Sequence, residues 1–198
     1  MAVQNIVLQG SIPERVQNNA AQRPLIKYIV PATHLRVWNS LVTSLPAAGA
    51  ADDLGLVQGV FATGSPSIQT SDAKATTVAQ KARFIWSIPP EYDPAQNINI
   101  TLHGGMLTTV SDTSATADVE AYKMDKAAGI GSDLITTAAT SINSVSLQDY
   151  SFTIDGSSLA VGDSLDIQIT IAITDSATVT AVIGFIGEIS MRMDIRMG

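Results

Sequence analysis

The chain contains no cysteine. Disulfide staples, thiolate nucleophiles, zinc–thiolate sites and iron–sulfur clusters are therefore excluded. Histidine is almost as scarce, with only His34 and His103 in 198 residues. A histidine-rich metal cluster of the kind jelly-roll metalloenzymes use is out of reach. Charged residues make up 15% of the chain, against about 25% in an ordinary soluble domain. Aromatics make up 5%, so the core has to be built from Val, Ile, Leu and Ala. No apolar run is long enough for a membrane helix, since Ala177–Gly187 is about half the required length. Met1–Gly10 has neither a basic start nor a sustained apolar stretch, so no targeting signal is expected there.

Apolar residues reach 45%, which excludes a disordered chain. The net charge of −7 is unevenly spread. Arg15, Arg23, Lys27 and Arg36 outweigh Glu14 in the first fifty residues, whereas the part after residue 90 sets fourteen acids against Lys123, Lys126, Arg192 and Arg196. An acidic body repels phosphate backbones, so no nucleic-acid partner is expected.

Helical periodicity is nearly absent. Leu165–Thr174 alternates Leu/Ile with Asp/Gln/Thr, and Asn97–His103 alternates over seven residues, the period of a half-buried strand. Further strands are expected at Leu25–Val30, Thr33–Trp38, Leu54–Phe61, Ser67–Thr70, Lys81–Ile88 and Ala117–Met124. Ser144–Ile154, Thr178–Phe185 and Glu188–Arg196 complete the set. A change of side is expected in the middle of Ala117–Met124, and a bulge near Gln148-Asp149. Pro89-Pro90, Asp155-Gly156 and Gly162-Asp163 punctuate the strands. Many short strands without helices predict an all-β antiparallel β-sandwich of jelly-roll type over residues 25–198. Residues 1–24, rich in Gln and Asn, read as an extended N-terminal arm.

No catalytic constellation emerges. No Gly-x-Ser-x-Gly elbow accompanies the two histidines, and His103 reads as an edge residue at a strand end. Asp149, Asp155, Asp163 and Asp166 cluster around two turns and offer hard oxygen donors, but their spacing is not that of an EF-hand. Glu91 and Asp93 flank Tyr92 in a proline-rich turn that needs no catalytic explanation. Asn99-Ile100-Thr101 matches the glycosylation acceptor, yet lies within an expected strand. No enzyme activity, cofactor or tightly held transition metal is expected, and calcium at the aspartates stays open.

Phe84–Asp93, Asn97–Ile100 and Gly105–Thr109 together are similar to a family of tailed-bacteriophage virion proteins. Leu159–Ile167 with Ala181–Gly184, and Leu45-Pro46 with Asp52–Leu56, resemble the same family. The resemblance spans most of residues 45–196. It implies a jelly-roll capsid decoration (cement) protein, a homotrimer seated on the major capsid protein lattice. The expected location is then the capsid surface of a virion, after synthesis in the host cytoplasm. It transfers no catalytic residue. The arm lies outside the resemblance, and on its own composition it is expected to contact the capsid or a neighbouring subunit. Ile6, Leu8 and Ile12 would supply apolar burial there, and Arg15 and Arg23 charge. The alternative is a jelly-roll module of a tail fibre or spike that binds a host glycan. It ranks second because Trp38 and Trp86, the residues best suited to stack on sugars, are both expected to face the core.

Overall fold

The computed structural model describes residues 24–107, 114–125, 129–176 and 180–196. Thirteen strands follow in chain order: β1 (Leu25–Val30), β2 (Arg36–Val37), β3 (Ser40–Ser44), β4 (Gly55–Val57), β5 (Ser67–Gln69), β6 (Thr77–Ser87) and β7 (Ile98–Met106). After them come β8 (Ser114–Met124), β9 (Ile130–Asp133), β10 (Thr140–Ser141), β11 (Gln148–Ile154), β12 (Ser164–Thr174) and β13 (Gly184–Asp194). The other regular element is a single 3₁₀ turn at Ala32–His34.

Two antiparallel sheets face each other. Sheet I has the order β11-β7-β13-β5-β4, with β1 also paired to β13; sheet II has the order β10-β8-β12-β6-β2-β3, with β9 paired to β8. The protein is thus an antiparallel β-sandwich of jelly-roll type, as the alternation predicts. Among the described residues, no helix is long and apolar enough to cross a membrane.

The centre of sheet II is β12, the strand with the strongest alternation. It pairs with β6 from Ser164↔Ser87 to Thr174↔Thr77, and with β8 from Leu165↔Lys123 to Thr174↔Ser114. Its inward set, Leu165, Ile167, Ile169, Ile171 and Ile173, is fully buried against Ile100, Leu102, Phe152, Met191 and their neighbours from sheet I. Burying each such side chain contributes about 1.5–3 kcal/mol. The scarcity of aromatics is met by this aliphatic layer.

Two of the close approaches that depend on glycine lie beside β7 and β11. A side chain at Gly156 would overlap the Gln96 carbonyl and meet the Tyr92 hydroxyl, and one at Gly104 would overlap the Phe185 carbonyl. The first is a knot in which the buried Tyr92 hydroxyl donates to the same Gln96 carbonyl.

Several expectations need correction. Thr33–Trp38 is not one strand, because the turn at Ala32–His34 leaves only Arg36–Val37 to pair. The strand expected at Leu54–Phe61 stops at Val57. Ser144–Ile154 contains no bulge: β11 starts at Gln148 and keeps unbroken register with β7 to Ile154, so the change of parity falls in its lead-in. β8 does not change sides. Ala115, Ala117, Val119 and Ala121 all point inward, which turns Tyr122 outward with Glu120 and Asp118. The last two expected strands are one, Gly184–Asp194, whose register shifts between Ile186 and Glu188.

Ile195 N–H donates to the Pro24 carbonyl at 3.0 Å, so the chain is already tied to the sandwich at Pro24. The proposed arm contacts Ile6, Leu8, Ile12, Arg15 and Arg23 lie outside the described residues.

Candidate functional site

The outer face of sheet II carries a polar band. Register places Arg36, Arg83, Gln168 and Glu120 in one cross-strand row, and Ile85, Asp166 and Tyr122 in the next. Alternation along each strand sends all of them outward, because the residues between them fill the core. Arg83 Nε donates to Asp166 Oδ1 at 2.6 Å, and the second nitrogen of the same guanidinium reaches Oδ2. Gln168 Nε2 donates to Glu120 Oε2 at 3.0 Å, and Tyr122 Oη donates to Glu120 Oε1 at 3.2 Å. Gln168 Oε1 is buried and accepts no hydrogen bond among the described residues.

Each titration shift in the band follows from a neighbour. The hydrogen bond to Asp166 holds the Arg83 guanidinium above its ordinary value. Desolvation, followed by the charge of Glu120, pushes the Tyr122 phenol up. Both groups keep their protons at neutral pH and act as donors.

Trp38 lies at the β2 side of this face. Its ring sits under Lys81, whose Nζ is 5.1 Å from the ring centroid, and its backbone N–H donates to Asp53 Oδ1 at 3.3 Å. The expectation that both tryptophans face the core therefore holds only for Trp86. That ring packs on the core and stands 6.5 Å from Tyr28 of the opposite sheet.

At the other end the band runs into a cleft of about 650 Å³ between the end of β8, β9 and the loop before β12. Two residues along from Asp166 and Tyr122 are Ser164 and Met124, which both line it. Met124, Ile130 and Leu134 supply apolar wall. Lys123 Nζ crosses the cleft margin to Asp163 Oδ2 at 2.7 Å and to the Ser158 carbonyl at 2.9 Å. A cavity of this size, apolar with a few placed polar groups, is the usual form of a ligand site.

The other candidate residues are dispersed. Asp163 pairs with Lys123, Asp166 with Arg83 and Asp149 with His103 Nδ1 at 2.8 Å, whereas Asp155 accepts the Ser157 N–H. The four aspartates thus serve four separate partners, and no group of three or more potential metal ligands occurs among the described residues. The Ser157 N–H holds the Asp155 carboxyl below its ordinary value. His103 is not at a strand end: β7 continues to Met106, and the imidazole stands on the outer face of sheet I. His34 is exposed in the 3₁₀ turn. Glu91 accepts from Tyr28 Oη at 3.5 Å, and Asn99 Oδ1 accepts from Thr153 Oγ1 at 3.0 Å inside β7.

Sequence reading misses the band because its members come from β2, β6, β8 and β12, up to 132 positions apart. The outward Asp/Gln/Thr set of β12 is legible. Its cross-strand partners are not.

No family model matches the chain, and no curated protein sequence matches it. Three solved structures give partial likenesses. The xylan-binding CBM22-1 domain from Paenibacillus barcinonensis is similar at 13% identity and a TM-score of 0.42, over 86% of this chain and 87% of that one. The CBM36-1 domain of a multidomain xylanase from the hindgut metagenome of Trinervitermes trinervoides gives 12% identity and a TM-score of 0.40, over 84% and 96%. The enzymatically active domain of bacteriophage CBA120 tailspike protein 4 gives 10% identity and a TM-score of 0.34, over 84% of this chain and 19% of that one.

Proposed function

We propose that the protein is a non-catalytic recognition module that binds a glycan along the outer face of sheet II and in the cleft at its end. The observation that carries this reading is the continuity of the Arg83–Gln168–Glu120–Tyr122 band with the cleft lined by Met124, Ile130 and Leu134. Guanidinium, carboxylate and amide groups match the paired hydroxyls of a sugar ring, and an apolar wall matches its C–H face. The carboxylates are held by Arg83, Lys123, Gln168 and Tyr122, an arrangement suited to holding a ligand and not to moving protons. The outward position of Trp38 removes the reason for ranking a glycan module second. Screening the protein on a glycan array, then titrating the best ligand calorimetrically, tests this. Tyr122→Ala and Asp163→Ala should each weaken binding at least tenfold with unchanged circular dichroism. Absence of any glycan ligand overturns the reading.

A second reading, the virion decoration protein on a major capsid lattice, is favoured by a different observation. Phe61 is 96% exposed, Val42 93% and Val60 73%. Single exposed apolar residues are ordinary, but an uncharged loop tip carrying two of them suits protein docking. Electron micrographs of capsids incubated with the labelled protein test this reading. Stoichiometric decoration supports it, and bare capsids oppose it.

A further inference from the structure

β13 shares one of its edges between two strands. β7 covers the opposite edge through Gly184–Met193, whereas β5 pairs only with Phe185 and Ile186, and β1 takes over from Ile189 onward. Gly187 and Glu188 fall between, and the interruption leaves a notch of about 320 Å³. Ile29, Pro31, Pro66, Ile68, Ile186 and Ile189 line it. The one acid at its rim, Glu188, is neutralised by Lys27 at 2.5 Å. A cavity of about 150 Å³ already holds a benzene ring, so the notch accommodates a phenyl side chain.

The same chain carries a matching projection. The β4–β5 connection, residues 58–66, contains no charged residue. Its tip is held by the Val60 carbonyl, which accepts the N–H groups of Thr63 and Gly64 at 2.9 Å and the Thr63 hydroxyl at 3.1 Å. Gly59 and Gly64 lie so close that a side chain at Gly59 would overlap the Gly64 carbonyl. Ala62 takes a left-handed φ of 67°. Phe61 at this tip is 96% exposed and does not line the notch of its own chain.

We infer that Phe61 of one copy inserts into the notch of a second copy, so that the protein assembles head to tail. The occupant follows from the chemistry on both sides: an uncharged aromatic projection and a neutralised apolar notch, both on one chain. A lipid surface fits worse, because the loop lacks the basic residues of interfacial anchors and the chain carries −7. The Phe61 tip and the notch are different patches, although Pro66 at the foot of the same loop lines the notch, so the contact is heterologous, and its repetition closes a ring when the rotation allows. This inference is independent of the glycan reading, whose face belongs to the other sheet.

The full-length chain, weighed by light scattering at about 100 µM, a concentration that populates micromolar contacts, should be an oligomer. Phe61→Ser and Ile29→Glu change exposed side chains, and each should give a folded monomer by circular dichroism. Mixed one to one, the two variants should form a dimer, because one intact projection then meets one intact notch. A monomeric wild type overturns the inference, as does a Phe61→Ser variant of wild-type mass or a mixture that stays monomeric. Loss of assembly on deleting residues 1–23, with Phe61→Ser unaffected, assigns the contact to that segment and overturns it equally.

Discussion

Arg83 and Asp166 join diagonally across β6 and β12. The residue directly opposite Arg83 is Gln168, and the one opposite Asp166 is Ile85, yet Nε and one terminal nitrogen of the Arg83 guanidinium reach the Asp166 carboxylate. Asp166 is only 8% exposed at its side chain. The pair therefore replaces hydration that the carboxylate has lost, on a face that would otherwise be open to water. Arg83→Met should destabilise the fold by about 3 kcal/mol, because it leaves a buried charge without a partner. Arg83→Met with Asp166→Leu should recover most of that loss. Urea denaturation decides it, and a single variant within about 0.5 kcal/mol of the parent, the range of ordinary surface changes, would show the pair to be passive.

β12 offers an internal contrast between its two faces. Ile169 is fully buried at the centre of the sandwich, and its neighbour Thr170 lies on the outer face. Ile169→Ala should cost about 2–5 kcal/mol by removing buried methyl groups and leaving a cavity. Thr170→Ala should stay within about 0.5 kcal/mol, as surface changes do. Equal losses at the two positions would mean that the outer face is covered in solution.

The knot around Tyr92 gives a third test. Gly156→Ala drives a methyl group into the Gln96 carbonyl, and Tyr92→Phe removes the hydroxyl that this carbonyl accepts. Tyr92→Phe should cost about 1–3 kcal/mol, the effect of stranding a buried polar group. Gly156→Ala should cost more, since backbone has to move. Thermal melts of both variants should keep this order.

Stability should decline in alkali. Tyr28, Tyr92 and Tyr122 are all raised above the ordinary 10.0, with burial as the largest cause in each. The folded state holds these protons longer than the unfolded chain does. Their contribution is complete below pH 10 and is lost as pH rises through the folded values. Urea midpoints measured from pH 9 to 11.5 should fall, and Tyr92→Phe should flatten the fall. A midpoint that rises over this range contradicts the assignment.

What was legible locally is what depends on period and punctuation. The alternation of Leu165–Thr174 specifies which side chains are buried whichever strands lie beside them, because successive side chains leave opposite faces. Where the local signal is mixed, the reading slips. Tyr122 counts as apolar by composition, which makes β8 look as if it changes sides, whereas its hydroxyl is directed to Glu120 on the outer face. Trp38 counts as apolar by composition, yet it follows the inward Val37 and so shares the outer face with Arg36, beside Lys81.

By itself the sequence determined an all-β, cysteine-free sandwich with an aliphatic core, since hydrophobic periodicity and composition act over a few neighbouring residues. Only the tertiary structure decided that Arg83, Gln168, Glu120 and Tyr122 form one band, that the band ends in a cleft, and that β1 and β5 leave a notch beside β13. These are properties of register. Register between strands tens of residues apart is selected by the packing of the whole core, because a slip of one residue would turn every inward side chain of a strand to water.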